Sequence, residues 1–243
     1  MIAEAWRDLK RNPVPVYVYV LSMMVAGGLF SAIDQGVSTL FDADKPPAWV
    51  GLYGAAMQVA FAALAATFQA GVFAFLGREL DKPLWKCEDT REAVRRFFMP
   101  WFTINLIAYA ILMGEVRAAE AESEGLFLLS ELGLMVVYML AIPVGACVMF
   151  YGRFRWSEVP AALTPLAAQA RLTIGIALVG MLGYLCHAFY LECLVRGYWT
   201  PILGPALIQM PFTAIELVQF AAAWELCRLN RDAGVKGMDP YDF

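Results

Sequence analysis

Residues Val50 to Leu76 read VGLYGAAMQVAFAALAATFQAGVFAFL, an apolar run without a single charged side chain. A helix needs about 20 such residues to cross the hydrocarbon core of a bilayer. At about 1.5 Å per residue this run reaches roughly 40 Å, so it crosses at a tilt. Five more segments share its character, at 16–41, 97–116, 126–151, 172–195 and 205–227. The whole chain follows: of 243 residues 60% are apolar and 16% charged, with mean hydropathy +0.60. Its 18 basic and 22 acidic residues are too few to cover a soluble globule of this size. That argues against an ordinary soluble enzyme and a disordered chain. A pI near 5.1 and a net charge of -4 leave no basic excess for nucleic acid. The expected fold class is all-α: a polytopic membrane protein with six transmembrane helices.

The basic residues set the orientation. Of the 18 Lys and Arg residues, 15 fall in connections on one side, against Lys45, Arg117 and Arg196 on the other. The positive-inside bias then puts both termini in the cytoplasm, with the inner membrane of a bacterium as the expected location. The far-side connections are short and acidic, with Asp42 and Asp44 in one and Glu115, Glu120, Glu122 and Glu124 in another. Glu4 and Asp8 spoil the positive region of a cleavable signal peptide. Five cysteines, with no CxxC pair, suggest neither a disulfide framework nor a zinc site.

Two connections on the basic side read alike. Trp85-Lys86-Cys87-Glu88-Asp89 through Arg96 leads into the third span, and Trp156-Ser157-Glu158-Val159-Pro160 through Arg171 into the fifth. In the first, Ala93, Val94, Phe97 and Phe98 make an apolar face opposite Arg91, Glu92, Arg95 and Arg96. In the second, Val159, Leu163 and Leu166 follow helical spacing until Pro165 breaks it. A third, weaker copy opens the chain, with Ile2, Ala5, Trp6 and Leu9 on one face of an interfacial helix. The single six-span domain, 1–228, then divides into parallel units 1–76, 77–150 and 151–228, ahead of a C-terminal tail at 229–243. Chance similarity among short apolar sequences is the competing explanation.

The middle of the chain also carries a resemblance. The small-residue run from Gly71 to Gly77, the turn Arg78-Glu79-Leu80-Asp81-Lys82-Pro83-Leu84-Trp85 and the helix to Pro100 resemble a loose superfamily of bacterial six-span domains. That superfamily includes the membrane domain attached to some glycerophosphodiester phosphodiesterases. The resemblance implies an architecture and a lipid-side or scaffolding role. It does not imply the phosphodiesterase activity, whose soluble catalytic barrel and metal ligands have no counterpart in this sequence.

Ionisable groups inside a membrane are costly and are functional candidates by default. Glu216 falls in the middle of the sixth span, with Gln209 and Gln219 on the same polar face and Pro211 nearby to free backbone carbonyls. It reads either as a proton or cation site or as a protonated packing group, and packing is the preferred reading. His187 lies in the outward half of the fifth span between Tyr184 and Tyr190. It reads as a packing residue, with haem or pigment ligation, a proton relay and a pairing with Glu216 as the alternatives; metal coordination with Cys186 and Cys193 is disfavoured, because His187 points about 100° away from Cys186 on the helix. Asp34, Glu131 and Glu192 read as a solvated rim, and Glu225 as a partner of Arg228. Ala56, Ala60, Ala62, Ala66 and Ala70 make small-xxx-small steps that mark the second span as a buried packing helix, extended outward by Gly51 and Gly54.

No catalytic motif appears in a suitable context. The expected function is therefore non-catalytic: an accessory or scaffold subunit of a membrane assembly or lipid-linked process. Its expected partners are membrane lipids and other membrane subunits, with no nucleic acid and no cofactor. One alternative is the permease subunit of a bacterial ABC exporter, with Trp85 to Arg96 as its coupling helix and 198–205 as the remnant of an outer hairpin. Another is an accessory chain of a pigment or redox complex, built around His187.

Overall fold

The computed structural model describes residues 1–41, 47, 49–80, 89–152, 159–198, 200 and 202–233, without the side chains of 116, 117, 119, 120, 194 and 195. Within them the helices are α1 (Ile2–Arg11), α2 (Pro13–Ser38), α3 (Trp49–Leu80), α4 (Thr90–Glu120), α5 (Glu124–Phe150), α6 (Val159–Ala162), α7 (Thr164–Ala168), α8 (Ala170–Val195) and α9 (Leu203–Asp232). Six of these, α2, α3, α4, α5, α8 and α9, are long and apolar enough to cross a membrane. No strand occurs among the described residues. The chain is an all-α polytopic membrane protein.

The spans pack as a ring in chain order, α2 on α3, α3 on α4, α4 on α5, α5 on α8 and α8 on α9, and α9 closes on α2. The returning member of each hairpin also reaches inward, so that α3, α5 and α9 touch one another. These three bury roughly twice the share of their residues that α2, α4 and α8 do, or more. Three inner helices within three outer ones is the result.

The end of the bundle that carries the basic connections is the tightly packed one. Phe73 stacks on Phe220 with ring centroids 4.4 Å apart, and Tyr19 and Trp101 lean on Phe73 at 5.1 and 5.2 Å. Trp224 continues the stack at 5.4 Å from Phe220 and meets Phe150 at 5.0 Å. Lipid tails are as apolar as these rings, so close packing rather than the hydrophobic effect holds them together. Glycines make the room. A Cβ on Gly77 would lie 2.7 Å from the Trp224 indole, and one on Gly145 would run into the Trp101 indole. The Trp101 Nε1–H donates to the Met149 sulfur at 3.0 Å. Cys147 and Cys227 bring their sulfurs to 3.3 Å in the same plug, a contact that their 80-residue separation hides from the sequence.

Several expectations need correction. The amphipathic stretch and the third span are one helix, because Ala93 and Phe97 bury the face that continues into Trp101. Arg91, Arg95 and Arg96 thus ride the first two turns of α4 rather than a separate coupling helix, and Pro100 sits inside it. At the other end α4 runs on to Glu120, so Glu115 is a buried residue of the helix and not part of a loop. The small-residue stripe also has limits. Ala62, Ala66 and Ala70 are buried, but Ala56 and Ala60 are exposed, and Cβ atoms on Gly51 or Gly54 would touch nothing. Only the half of α3 nearer the basic end is a packing helix.

The second connection resolves into α6 and α7, with Pro165 in the first turn of α7. In α1, Ala5 and Leu9 are buried against the bundle while Ile2 and Trp6 stay exposed. The helix packs on α9, and Asn12 and Pro13 turn the chain into α2. Trp85, Trp156, most of the tail (234–243) and the acidic loop residues Asp42 and Asp44 lie outside the described residues.

Candidate functional site

Above the aromatic plug the six spans part around a partly open cavity of about 290 Å³, to which every one of them contributes. Its floor is polar. Two close approaches bring the floor together. On one side, Gly27 of α2 lies against α9, where an added Cβ would sit 2.9 Å from the Pro205 carbonyl oxygen. About two turns along α2 and three along the antiparallel α9, the Tyr19 hydroxyl donates a hydrogen bond to Oε2 of Glu216. Gln69 of α3 lies beside the same hydroxyl, and its carbonyl accepts from Nδ2 of Asn105 in α4 at 2.8 Å. A polar chain Glu216–Tyr19–Gln69–Asn105 therefore crosses four spans.

On the other side, α8 presses against α5 at Gly180, where a Cβ would collide with the Tyr138 carbonyl and the Gln219 amide. The buried Gln219 donates to the carbonyls of Tyr138 at 3.1 Å and Met139 at 3.3 Å. Buried polar groups are kept where they have partners, and the floor meets that condition with hydrogen bonds between helices. Its polar groups also tie α2, α3, α4, α5 and α9 to one register.

The walls are aromatic. Phe61 and Tyr109 meet edge to face at 5.9 Å on α3 and α4. Tyr138 and Phe212 form a second ring pair at 5.9 Å on α5 and α9. His187 leans on both members of that pair, 5.8 Å from Tyr138 and 6.4 Å from Phe212. Its buried Nε2 has no hydrogen-bond partner among the described residues. The lining runs from Gln69 and Ile142 on the side of the plug to Leu112, Tyr190 and Pro205 on the other side.

Glu216, Gln209, Gln219 and His187, four scattered positions in the sequence, thus line one cavity. Glu216 and His187 are not paired: Tyr19 holds the carboxylate, and the imidazole Nε2 has no hydrogen-bond partner among the described residues. Pro211 lies inside an unbroken α9, where its missing N–H removes the helical donor of the Leu207 carbonyl; the Thr213 hydroxyl donates to the Gln209 carbonyl at 2.6 Å. Sequence reasoning missed Tyr19, Gln69 and Asn105. Gln69 and Asn105 carried a signal, as amides inside apolar spans, but Tyr19 is common in such helices and carried none.

The rim residues divide. Asp34 is exposed, Glu192 pairs with Arg196 on the surface and Glu225 with Arg228 at 2.8 Å. Glu131 is different. It accepts a hydrogen bond from the Tyr184 hydroxyl across α5 and α8, and the buried Glu115 of α4 faces it. Among the described residues no three His, Cys, Asp or Glu side chains converge as a metal ion would require.

Comparison with protein-family models, with curated proteins and with solved structures finds no match to this chain. Its function is accordingly argued from the chemistry of the cavity.

Proposed function

We propose that this chain is a non-catalytic membrane protein that takes a small, partly polar molecule into the bilayer and holds it in the central cavity. It serves as a binding or carrier subunit of a membrane assembly or lipid-linked process. The observation that carries the reading is the convergence of all six spans on one partly open, polar-floored, ring-walled cavity. Ligand sites are mostly apolar concavities with a few converging polar groups, and a volume of about 290 Å³ falls at the small end of their range. A packing defect would instead be apolar throughout and would cost stability for no return. The positive-inside bias puts the plugged end in the cytoplasm, so the cavity takes its ligand from the outer half of a bacterial inner membrane.

The test is the small-molecule content of protein purified from its own membranes, measured by mass spectrometry after mild extraction. Wild type retains a molecule in near-stoichiometric amount, while Ala108→Phe and Ala141→Phe, which fill the cavity wall, retain none. Identical extracts from all three would overturn the reading. A reporter fused to the C-terminus tests the orientation, with fluorescence expected from a cytoplasmic fluorescent protein and no activity from a periplasmic phosphatase.

A further inference from the structure

Resting on that reading, we infer that the molecule held in the cavity is an organic cation bearing one positive charge, bound as an ammonium between the Glu216 carboxylate and the two ring pairs. The first observation is charge. Among the described residues Glu216 is the only acidic one in the lining, and no Lys or Arg lines it. His187 also lines the cavity, packed against the Tyr138–Phe212 ring pair. An anion entering would meet an uncompensated carboxylate in a medium of low dielectric, where like charges repel strongly. A cation would meet its counter-charge.

The second observation is the state of Glu216 itself. Tyr19 donates to Oε2, and among the described residues no donor is assigned to Oε1, while the side chain lines the cavity. A buried carboxylate with one oxygen open is expensive unless a cation or a proton covers it. The third is the walls. Phe61 with Tyr109 and Tyr138 with Phe212 stand on different helices, and Tyr190 adds a further ring to the lining. Ring faces attract a desolvated ammonium, and cages of such rings recognise substituted ammonium groups. A bare metal cation would leave most of the 290 Å³ unfilled and needs several oxygen ligands. A substituted ammonium fills the space and uses the rings.

The experiment measures saturable binding of tritiated benzyltrimethylammonium, and of its neutral carbon isostere neopentylbenzene, to the full chain in nanodiscs. Empty nanodiscs subtract partitioning into lipid. Glu216→Gln keeps the shape of the side chain and an acceptor for Tyr19 while removing the charge. The expected result is that Glu216→Gln weakens the cation by about tenfold or more, the scale of one desolvated charge contact. The neutral isostere changes by less than about twofold. Equal effects on both probes, or tighter binding of phenylacetate than of the cation, would overturn the inference and leave the cavity a binding site of another class. Displacement of the probe by millimolar sodium, with no discrimination between organic cations, would likewise overturn it in favour of a metal-cation site. If no probe of any charge binds saturably, the proposed function itself fails. Should Glu216→Gln fail to assemble, the ratio of the two isosteres on wild type decides alone, with parity counting against a cation.

Discussion

Gly180→Ala tests how the floor of the cavity is built. The glycine lets α8 lie directly on α5, and an added Cβ would come 2.9 Å from the Met139 Cα and closer still to the Tyr138 carbonyl and the Gln219 amide. Two of the three obstacles are backbone and cannot swing aside, so α8 must move. Overpacking of this kind costs about 1–3 kcal/mol. The displaced Gln219 also loses its hydrogen bonds to α5, worth about 1 kcal/mol net. Alanine returns up to about 1 kcal/mol of helix propensity. The balance is a loss of about 2 kcal/mol, or roughly 4–8 °C in melting temperature for a chain of this length. Thermal unfolding in nanodiscs, followed by tryptophan fluorescence, reads it.

Gly54→Ala is the control, since a Cβ there touches nothing, and it leaves the melting temperature unchanged or slightly raised. The double variant Gly180→Ala/Gln219→Ala recovers part of the deficit, because one of the three obstacles is gone. If Gly180→Ala and Gly54→Ala melt alike, the close contact of α8 with α5 is wrong.

Tyr19→Phe removes the donor to Glu216 and lowers stability by about 1–2 kcal/mol, within the range for hydrogen bonds between membrane helices; a melt indistinguishable from wild type would show that the bond contributes nothing. Gly77→Ala drives a methyl group into the Trp224 indole and costs about 1–3 kcal/mol, with a shift in tryptophan emission as the local signature. Cys147 and Cys227 are fully buried, so a bulky maleimide labels neither in the folded protein and both after denaturation, as counted by intact mass; prompt labelling of either would contradict the plug.

The sequence by itself determined the six spans, because about 20 consecutive apolar residues can satisfy their backbone in a bilayer only as helix or closed barrel. Val50 to Leu76 has no alternation that would suit a barrel strand. The unpaired cost of an ion in lipid likewise marked Glu216 and His187 as the residues to watch. What only the tertiary structure decided is where these groups meet. Whether Ala56 or Ala66 is the buried alanine depends on which half of α3 its neighbours reach, and periodicity is the same in both halves. Whether Arg91 and Arg95 belong to a separate helix depends on Ala93 and Phe97 finding a core to bury against.

The site depended most on tertiary contacts. Tyr19 and Glu216 are 197 residues apart, and their meeting is set by Gly27 against Pro205, a register that no local pattern encodes. Hydropathy is a property of each segment alone, whereas the cavity exists only between segments, at heights fixed by a few glycines that let particular helices touch.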